Sequence, residues 1–247
     1  MMEPADTVAR AFLSVERSAT EQRWVSRLDQ AGQNRALAMS QVHGIPELIA
    51  RVLAGRGVGV DDALAFLDPT IRSLMPDPHV LTDCEKAAER LVRAIEAGEK
   101  VAIFGDYDVD GAASSALMYR FLAHFGLTPE IYIPDRIFEG YGPNPAAMQQ
   151  LAANGATLIV TVDCGSTSHE SLKAAKEART DVVVIDHHQV GTELPPAVAL
   201  VNPNREDDLS GQGHLCAAGV VFLVLVATLR VLKDRRHRQA FTLDLLS

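Results

Sequence analysis

Val101-Ala-Ile-Phe-Gly-Asp-Tyr-Asp-Val-Asp-Gly111 joins a short apolar run to three acids at alternate positions and a glycine. Such a run, rich in β-branched residues, reads as a strand buried on both faces, with the acids at its carboxyl end. Working outward, four more runs of the same kind follow: Glu130–Ile133, Thr157–Val162, Asp181–Ile185 and Ala197–Val201. Helical stretches, Ala112–Phe125, Pro145–Ala153 and His169–Arg179, lie between most of them. Apolar strands alternating with helices predict an α/β fold, a parallel sheet with helices on both faces.

Upstream the pattern is different. From about residue 10 to 80 the chain reads as short helices, such as Ile45–Leu53 with its early Pro46, and Asp61–Leu67 stopped by Asp68-Pro69. Asp83–Ala97 is amphipathic, with Ala87, Leu91, Ala94 and Ile95 on one face and Gly98 as a stop. We therefore divide the chain into a small helical N-terminal region, 1–80, and an α/β domain, 81–247. The longest apolar run, Ala217–Leu232, contains Arg230 and runs into the basic cluster Lys233–Arg238. It falls short of the roughly 20 apolar residues of a bilayer span and reads as a core helix. The first residues show no basic-then-apolar leader pattern. Cys84, Cys164 and Cys216 are dispersed and odd in number. They suit neither a disulfide framework nor a Cys-x-x-Cys metal site, which points to a reducing cytoplasm. The net charge of −9 argues against a broad nucleic-acid-binding surface. A divalent cation held among the acids would offset part of it.

Three strands run into ionisable clusters: Asp106, Asp108 and Asp110 after the first, Asp163 after the third, and Asp186-His187-His188 after the fourth. Ligands of open α/β sheets bind beyond the carboxyl ends of the strands, so these clusters converge on one edge. Carboxylates placed together repel one another unless a cation sits among them. Oxygen ligands with one or two imidazoles suit Mn²⁺ or Mg²⁺ and do not resemble a structural zinc site. In an irregular turn, Asp106, Asp108 and Asp110 would offer two or three carboxylates to a metal pair, with Asp163 free to bridge. Two such metals about 3.5–4 Å apart activate water and stabilise the leaving oxygen in phosphoryl transfer. A calcium-binding EF-hand loop fits poorly, because Leu117 stands where its bidentate Glu belongs and a strand precedes the loop. A dinucleotide-binding loop fits poorly too, since no Gly-x-Gly-x-x-Gly follows the first strand.

Asp108-Val-Asp110-Gly111, Val162-Asp163 and Asp186-His187-His188 resemble, in order, the first three motifs of the DHH phosphoesterase superfamily. Tyr132-Ile-Pro-Asp-Arg136, Glu139-Gly-Tyr-Gly142, Val201-Asn-Pro-Asn204, Phe66-Leu-Asp-Pro69 and Ala217-Ala-Gly219 are similar to segments of its single-stranded-DNA exonuclease branch. The resemblance implies that Asp108, Asp110, Asp163 and His187 are metal ligands, with Asp163 bridging. These four and His188 form the implied catalytic set, His188 facing phosphate or lying beside the metals. Asp186 is implied to orient the histidines, and Asp106 either to ligate or to support. Arg136 is a candidate phosphate contact or a structural ion-pair partner. Ser114, with Ser115, is a candidate phosphate contact or a helix cap. The implied activity is 5′-to-3′ hydrolysis of single-stranded DNA in repair and recombination, with a Mn²⁺ or Mg²⁺ pair and single-strand-binding protein as a further partner. Two alternatives stand beside it: action on short oligonucleotides or small phosphorylated molecules, and a metal-binding or interaction module without turnover. The family's fourth motif, carrying another aspartate, is expected beyond Phe241–Ser247, with Asp244 on the approach to it. On this reading the chain is truncated before that motif and lacks the family's second catalytic-side and oligonucleotide-binding domains.

Overall fold

The computed structural model describes residues 11–235, so Asp244 and the end of the basic cluster lie outside the described residues. The described chain forms two compact units with the break between Met75 and Pro76.

The first unit is helical. Asp29 caps α1 (Gln30–His43), its side chain accepting from the Gly32 amide at 2.7 Å. Helix α1 packs on α2 (Glu47–Gly55) around Ala36, Met39, Ile45, Ala50 and Leu53. Two short helices follow, α3 (Ala63–Leu67) and α4 (Ile71–Leu74). Helix α3 stops before Asp68-Pro69, where the proline disfavours a helical conformation in the preceding residue.

The second unit begins with α5 (Cys84–Ala97) and then alternates strand and helix. Its elements are β1 (Val101–Gly105), α6 (Val109–His124), β2 (Glu130–Tyr132), α7 (Pro145–Ala153), β3 (Leu158–Val162), α8 (His169–Glu177), β4 (Asp181–Ile185), β5 (Ala199–Val201) and α9 (Ala217–Asp234). The five strands form one parallel sheet in the order β2-β1-β3-β4-β5. Strand β2 lies on one side of β1 and all later strands on the other. Right-handed crossovers therefore put α6 on one face, and α7 and α8 on the opposite one. The contacts agree: α6 and α9 pack together, α5 packs on α9 and β5, and α7 packs on α8. Alternate strand residues serve the two faces. Ala102, Phe104, Ile159, Val182 and Val184 join Met148, Leu151 and Leu172 of α7 and α8 in one buried cluster. The predicted fold class is the observed one.

Several element edges differ from the sequence reading by one to three residues. Helix α6 starts at Val109, three residues early, and β5 starts at Ala199, two residues late.

The register aligns the strand ends. Gly105 pairs with Val162, Val162 with Ile185, and Ile185 with Val201. The next residue on each strand is therefore Asp106, Asp163, Asp186 and Asn202, a polar row along the carboxyl edge. The chain reverses its winding direction between β1 and β3, and that switch point is where this sheet order binds ligands.

Candidate metal centre

The loop after β1 is short because Asp108 turns it directly into α6. The Asp108 carboxylate accepts from the amides of Asp110 and Gly111, both at 2.9 Å, an N-cap that starts the helix at Val109. Gly111 has no side-chain alternative, since a Cβ there would lie 2.5 Å from the Asp106 carbonyl oxygen. Asp106 is buried, and among the described residues its Oδ1 has no hydrogen-bond partner. Burial pushes its carboxyl up, with the neighbouring Asp108 adding to the effect. Asp108 itself is held low, first by the Gly111 amide.

Asp163 lies at the centre. It is 1 % exposed, and its backbone takes the left-handed conformation, φ 62°. That conformation costs an L-residue about 1–2 kcal/mol. The Tyr141 hydroxyl donates to the Asp163 carbonyl at 3.3 Å, which helps hold the peptide there. Among the described residues the Oδ1 of Asp163 is buried without a hydrogen-bond partner, and it lies 3.3 Å from His187 Nε2. Burial, then repulsion from Asp110 and Asp108, pushes its carboxyl up to about 8. A carboxylate buried among other carboxylates with a bare oxygen is the environment a divalent cation relieves.

The loop after β4 supplies the imidazoles, and Asp186 organises it. Its Oδ1 accepts from the amides of His187 (2.7 Å) and His188 (3.2 Å) and from His188 Nδ1 (2.8 Å). Its Oδ2 accepts from the Ser166 amide at 3.1 Å. Burial would raise this carboxyl, but the bonds from His188, Ser166 and the loop amides outweigh it and hold it at about 2. Asp186 in turn raises the His188 imidazole. His187 is held from the other side: its Nδ1 lies 3.1 Å from the Leu215 carbonyl oxygen. With Nδ1–H donating to that carbonyl, the Nε2 lone pair faces Asp163, as a metal-binding imidazole requires.

Among the described residues two groups of side chains bring their ligand atoms within 4.8 Å of one another: Asp163 with His187 and His188, and Asp106 with Asp108 and Asp163. They share Asp163. The oxygen-rich donor set with imidazole, free of thiolate, fits Mn²⁺ or Mg²⁺. Of the acids read from the sequence, Asp108 and Asp163 fall in these groups, and so does Asp106. Asp110 falls in neither. Its two carboxylate oxygens accept from the Ala217 and Ala218 amides, at 2.7 and 2.9 Å, and so cap α9. His187 Nε2 lies 3.7 Å from Asp110 Oδ2, so the capped carboxylate borders the cluster.

Ser114 requires a correction. It is fully buried in the second turn of α6, so it neither caps the helix nor offers a surface to phosphate. The physical reason is the early helix start: with Asp108 as the cap, the free amides precede Ser114 by a turn. Ser115 is buried as well, and its Oγ packs where a Cβ on Gly105 would lie. Arg136 is exposed and sits over the Tyr107 ring, 4.9 Å from its centroid, next to Asp106 and Asp108.

Sequence reasoning missed the Asn202 and Asn204 clamp. Asn202 donates to the His188 carbonyl (2.9 Å) and to Ser166 Oγ (2.8 Å), and Asn204 donates to the His187 carbonyl. An Asn-Pro-Asn directly after a strand was the available signal, since buried amides need partners.

A family model described as "DHH family, N-terminal domain" matches residues 100–246. The single-stranded-DNA-specific exonuclease RecJ of Bacillus subtilis (strain 168) is 34% identical over 216 residues, covering 87% of this chain and 27% of the relative. That of Escherichia coli (strain K12) is 36% identical over 192 residues, covering 77% of this chain and 33% of the relative. The chain thus spans about a third or less of the length of these relatives. Among solved structures, RecJ in complex with Mn²⁺ from Thermus thermophilus aligns with a TM-score of 0.66 at 28% identity, covering 85% of this chain and 28% of that one. An exonuclease RecJ bound to manganese aligns with a TM-score of 0.57 at 36% identity, covering 62% of this chain and 38% of that one.

Proposed function

The chain belongs to the DHH family, and from that premise we propose that it carries the metal-holding part of a phosphodiesterase that degrades single-stranded DNA from 5′ to 3′ in repair and recombination. The observation that carries the reading is the sharing of buried Asp163, with its bare oxygen, by two ligand groups. One group offers carboxylates alone and the other adds imidazoles. A Mn²⁺ or Mg²⁺ pair bound there supplies Lewis-acid stabilisation of phosphoryl oxygens and lowers the pKa of water.

The side chains do the positioning. Asp163 faces both groups from the floor of the switch point, and Asp106 and Asp108 complete the first. His187, fixed by the Leu215 carbonyl, presents Nε2 to the second. His188 is held by Asp186 in a form that keeps its proton to higher pH than usual, which suits it to face a phosphate oxygen. Arg136 on Tyr107 adds a second cation at the rim, and its planar fork matches phosphate. Asp110 links the cluster to α9 through its cap. Single-stranded DNA is the proposed substrate, single-strand-binding protein a proposed partner and the cytoplasm the proposed compartment. Among the described residues no helix is long and apolar enough to cross a membrane.

The test is Mn²⁺-dependent release of nucleotides from a 5′-labelled single-stranded oligonucleotide, with Asp163→Ala as control. Turnover lost in the variant is the expected result. Turnover that persists in the variant refutes the site assignment. Mn²⁺ binding without turnover makes the chain a metal-binding module, the alternative to the nuclease reading.

A further inference from the structure

The turn between β2 and α7 carries the most exposed aromatic side chain among the described residues: Phe138 is 87% exposed and its neighbour Ile137 85%. Large apolar side chains left in water on a loose loop would mean little. Here the backbone beneath them is fixed. Asp135 Oδ1 accepts from the amides of Ile137 (2.8 Å) and Phe138 (3.2 Å). Glu139 accepts from the Asp135 amide (2.8 Å), from the Tyr132 hydroxyl (2.5 Å) and from Asn144 (3.3 Å).

Both ends of the turn are tied to the metal centre. On one side Arg136 sits over Tyr107, the residue between Asp106 and Asp108. On the other, Tyr141 donates to the Asp163 carbonyl, and its ring meets His188 edge-on with centroids 5.8 Å apart. Phe138 is three residues from Tyr141, so their Cα atoms are at most about 11 Å apart. At about 3.4 Å or more per nucleotide, that is within roughly three nucleotides of a strand whose phosphate lies at the centre. Tyr107, Arg136 and Tyr141 thus put two aromatic groups and a cation beside the carboxylates, with Phe138 on the same turn as Arg136 and Tyr141, a composition that grips single strands by stacking on bases.

We propose that the Ile137–Phe138 turn is a nucleobase-stacking platform for the substrate strand, Phe138 taking the face of a base near the cleaved phosphate. The proposal rests on the single-stranded-DNA reading. It adds a contact to bases where the metal centre contacts only phosphate. Because a turn already fixed loses little freedom on binding, the stacking surface is available at low entropic cost. Stacking of this kind tolerates any base.

The experiment measures binding of the full chain to two labelled oligonucleotides by fluorescence anisotropy, with Ca²⁺ in place of Mn²⁺ and the intactness of each strand checked afterwards. One strand is oligothymidine; the other lacks bases at its first three 5′ positions. Wild type is expected to prefer the base-bearing strand by about 5- to 150-fold, the range of one base–aromatic stack. Phe138→Ala should abolish that preference and bind the two strands alike, and Phe138→Tyr should restore it. A preference that survives in Phe138→Ala overturns the platform while leaving the single-strand reading intact, and points to a protein segment as the occupant of the turn. Equal weakening of both strands in the variant also overturns it, since a base contact cannot act on an abasic strand. No binding of either strand by wild type overturns the platform together with the reading beneath it.

Discussion

Replacing Asp163 by Asn removes one charge from the middle of the cluster and nothing else of consequence. Asn keeps the shape and tolerates the left-handed backbone found there, φ 62°. Without a cation, the folded chain holds the Asp163 proton up to about pH 8, against an ordinary carboxyl value of 3.8. The folded state therefore binds a proton that the unfolded state releases between those values, and stability falls as pH rises through that window. The slope is about 1.36 kcal/mol per pH unit, so from pH 5 to pH 8 the ceiling on the loss is about 4 kcal/mol. Relaxation of a coupled cluster lowers this, and a loss of about 1.5–4 kcal/mol is expected. The assay is urea unfolding in EDTA at pH 5, 6, 7 and 8 for both proteins. Acids away from the cluster titrate alike in the two, so their difference reports Asp163 together with the groups coupled to it. The variant should gain on wild type steadily as pH rises from 5 to 8. A wild-type-minus-variant difference that stays flat within about 0.5 kcal/mol refutes the reasoning, because a free carboxylate would then cost the fold nothing.

Three further outcomes follow from the same geometry. Apparent Mn²⁺ affinity, measured by calorimetry, should rise with pH by up to about tenfold per unit and level off near pH 8, because Asp163 must shed its proton to offer both oxygens. Asn202→Ala leaves the His188 carbonyl and Ser166 without their donor; unfolding should show a cost of about 1–3 kcal/mol, and Mn²⁺ affinity should drop about 10- to 100-fold although Asn202 is no ligand. Asp110→Ala removes the α9 cap and should cost about 0.5–2 kcal/mol in urea unfolding with EDTA present, a loss that Asp110→Asn should partly recover. If the alanine variant is as stable as wild type, the cap contributes nothing.

The sheet was legible because its inner strands are buried on both faces, so they appear as short runs dominated by apolar, β-branched residues, such as Leu158–Val162. Their carboxyl ends were marked by the acids that follow, and the register turned those marks into a row. The start of α6 was read late because Asp108-Val-Asp-Gly111 looks like a turn, while the fold uses Asp108 as the cap and Asp110 as a first-turn acid. Ser114 was misjudged for the same reason. The second role of Asp110 was out of reach: its α9 partners Ala217 and Ala218 lie more than a hundred residues downstream, and capping across that distance is a product of tertiary packing. Asn202 and Asn204 were visible only as part of a family likeness. Their work, holding the carbonyls of His187 and His188, depends on β5 lying beside β4. The exposed Phe138 carried no periodic signal at all, since it belongs to a turn.

The most direct test of the central claim is the Mn²⁺ stoichiometry of the purified chain at pH 8, read by electron paramagnetic resonance alongside calorimetry. Two Mn²⁺ per chain are expected, since two ligand groups share Asp163, with at least one ion lost in Asp163→Asn. Absence of bound Mn²⁺, or two ions bound equally well without the Asp163 carboxylate, would contradict the claim.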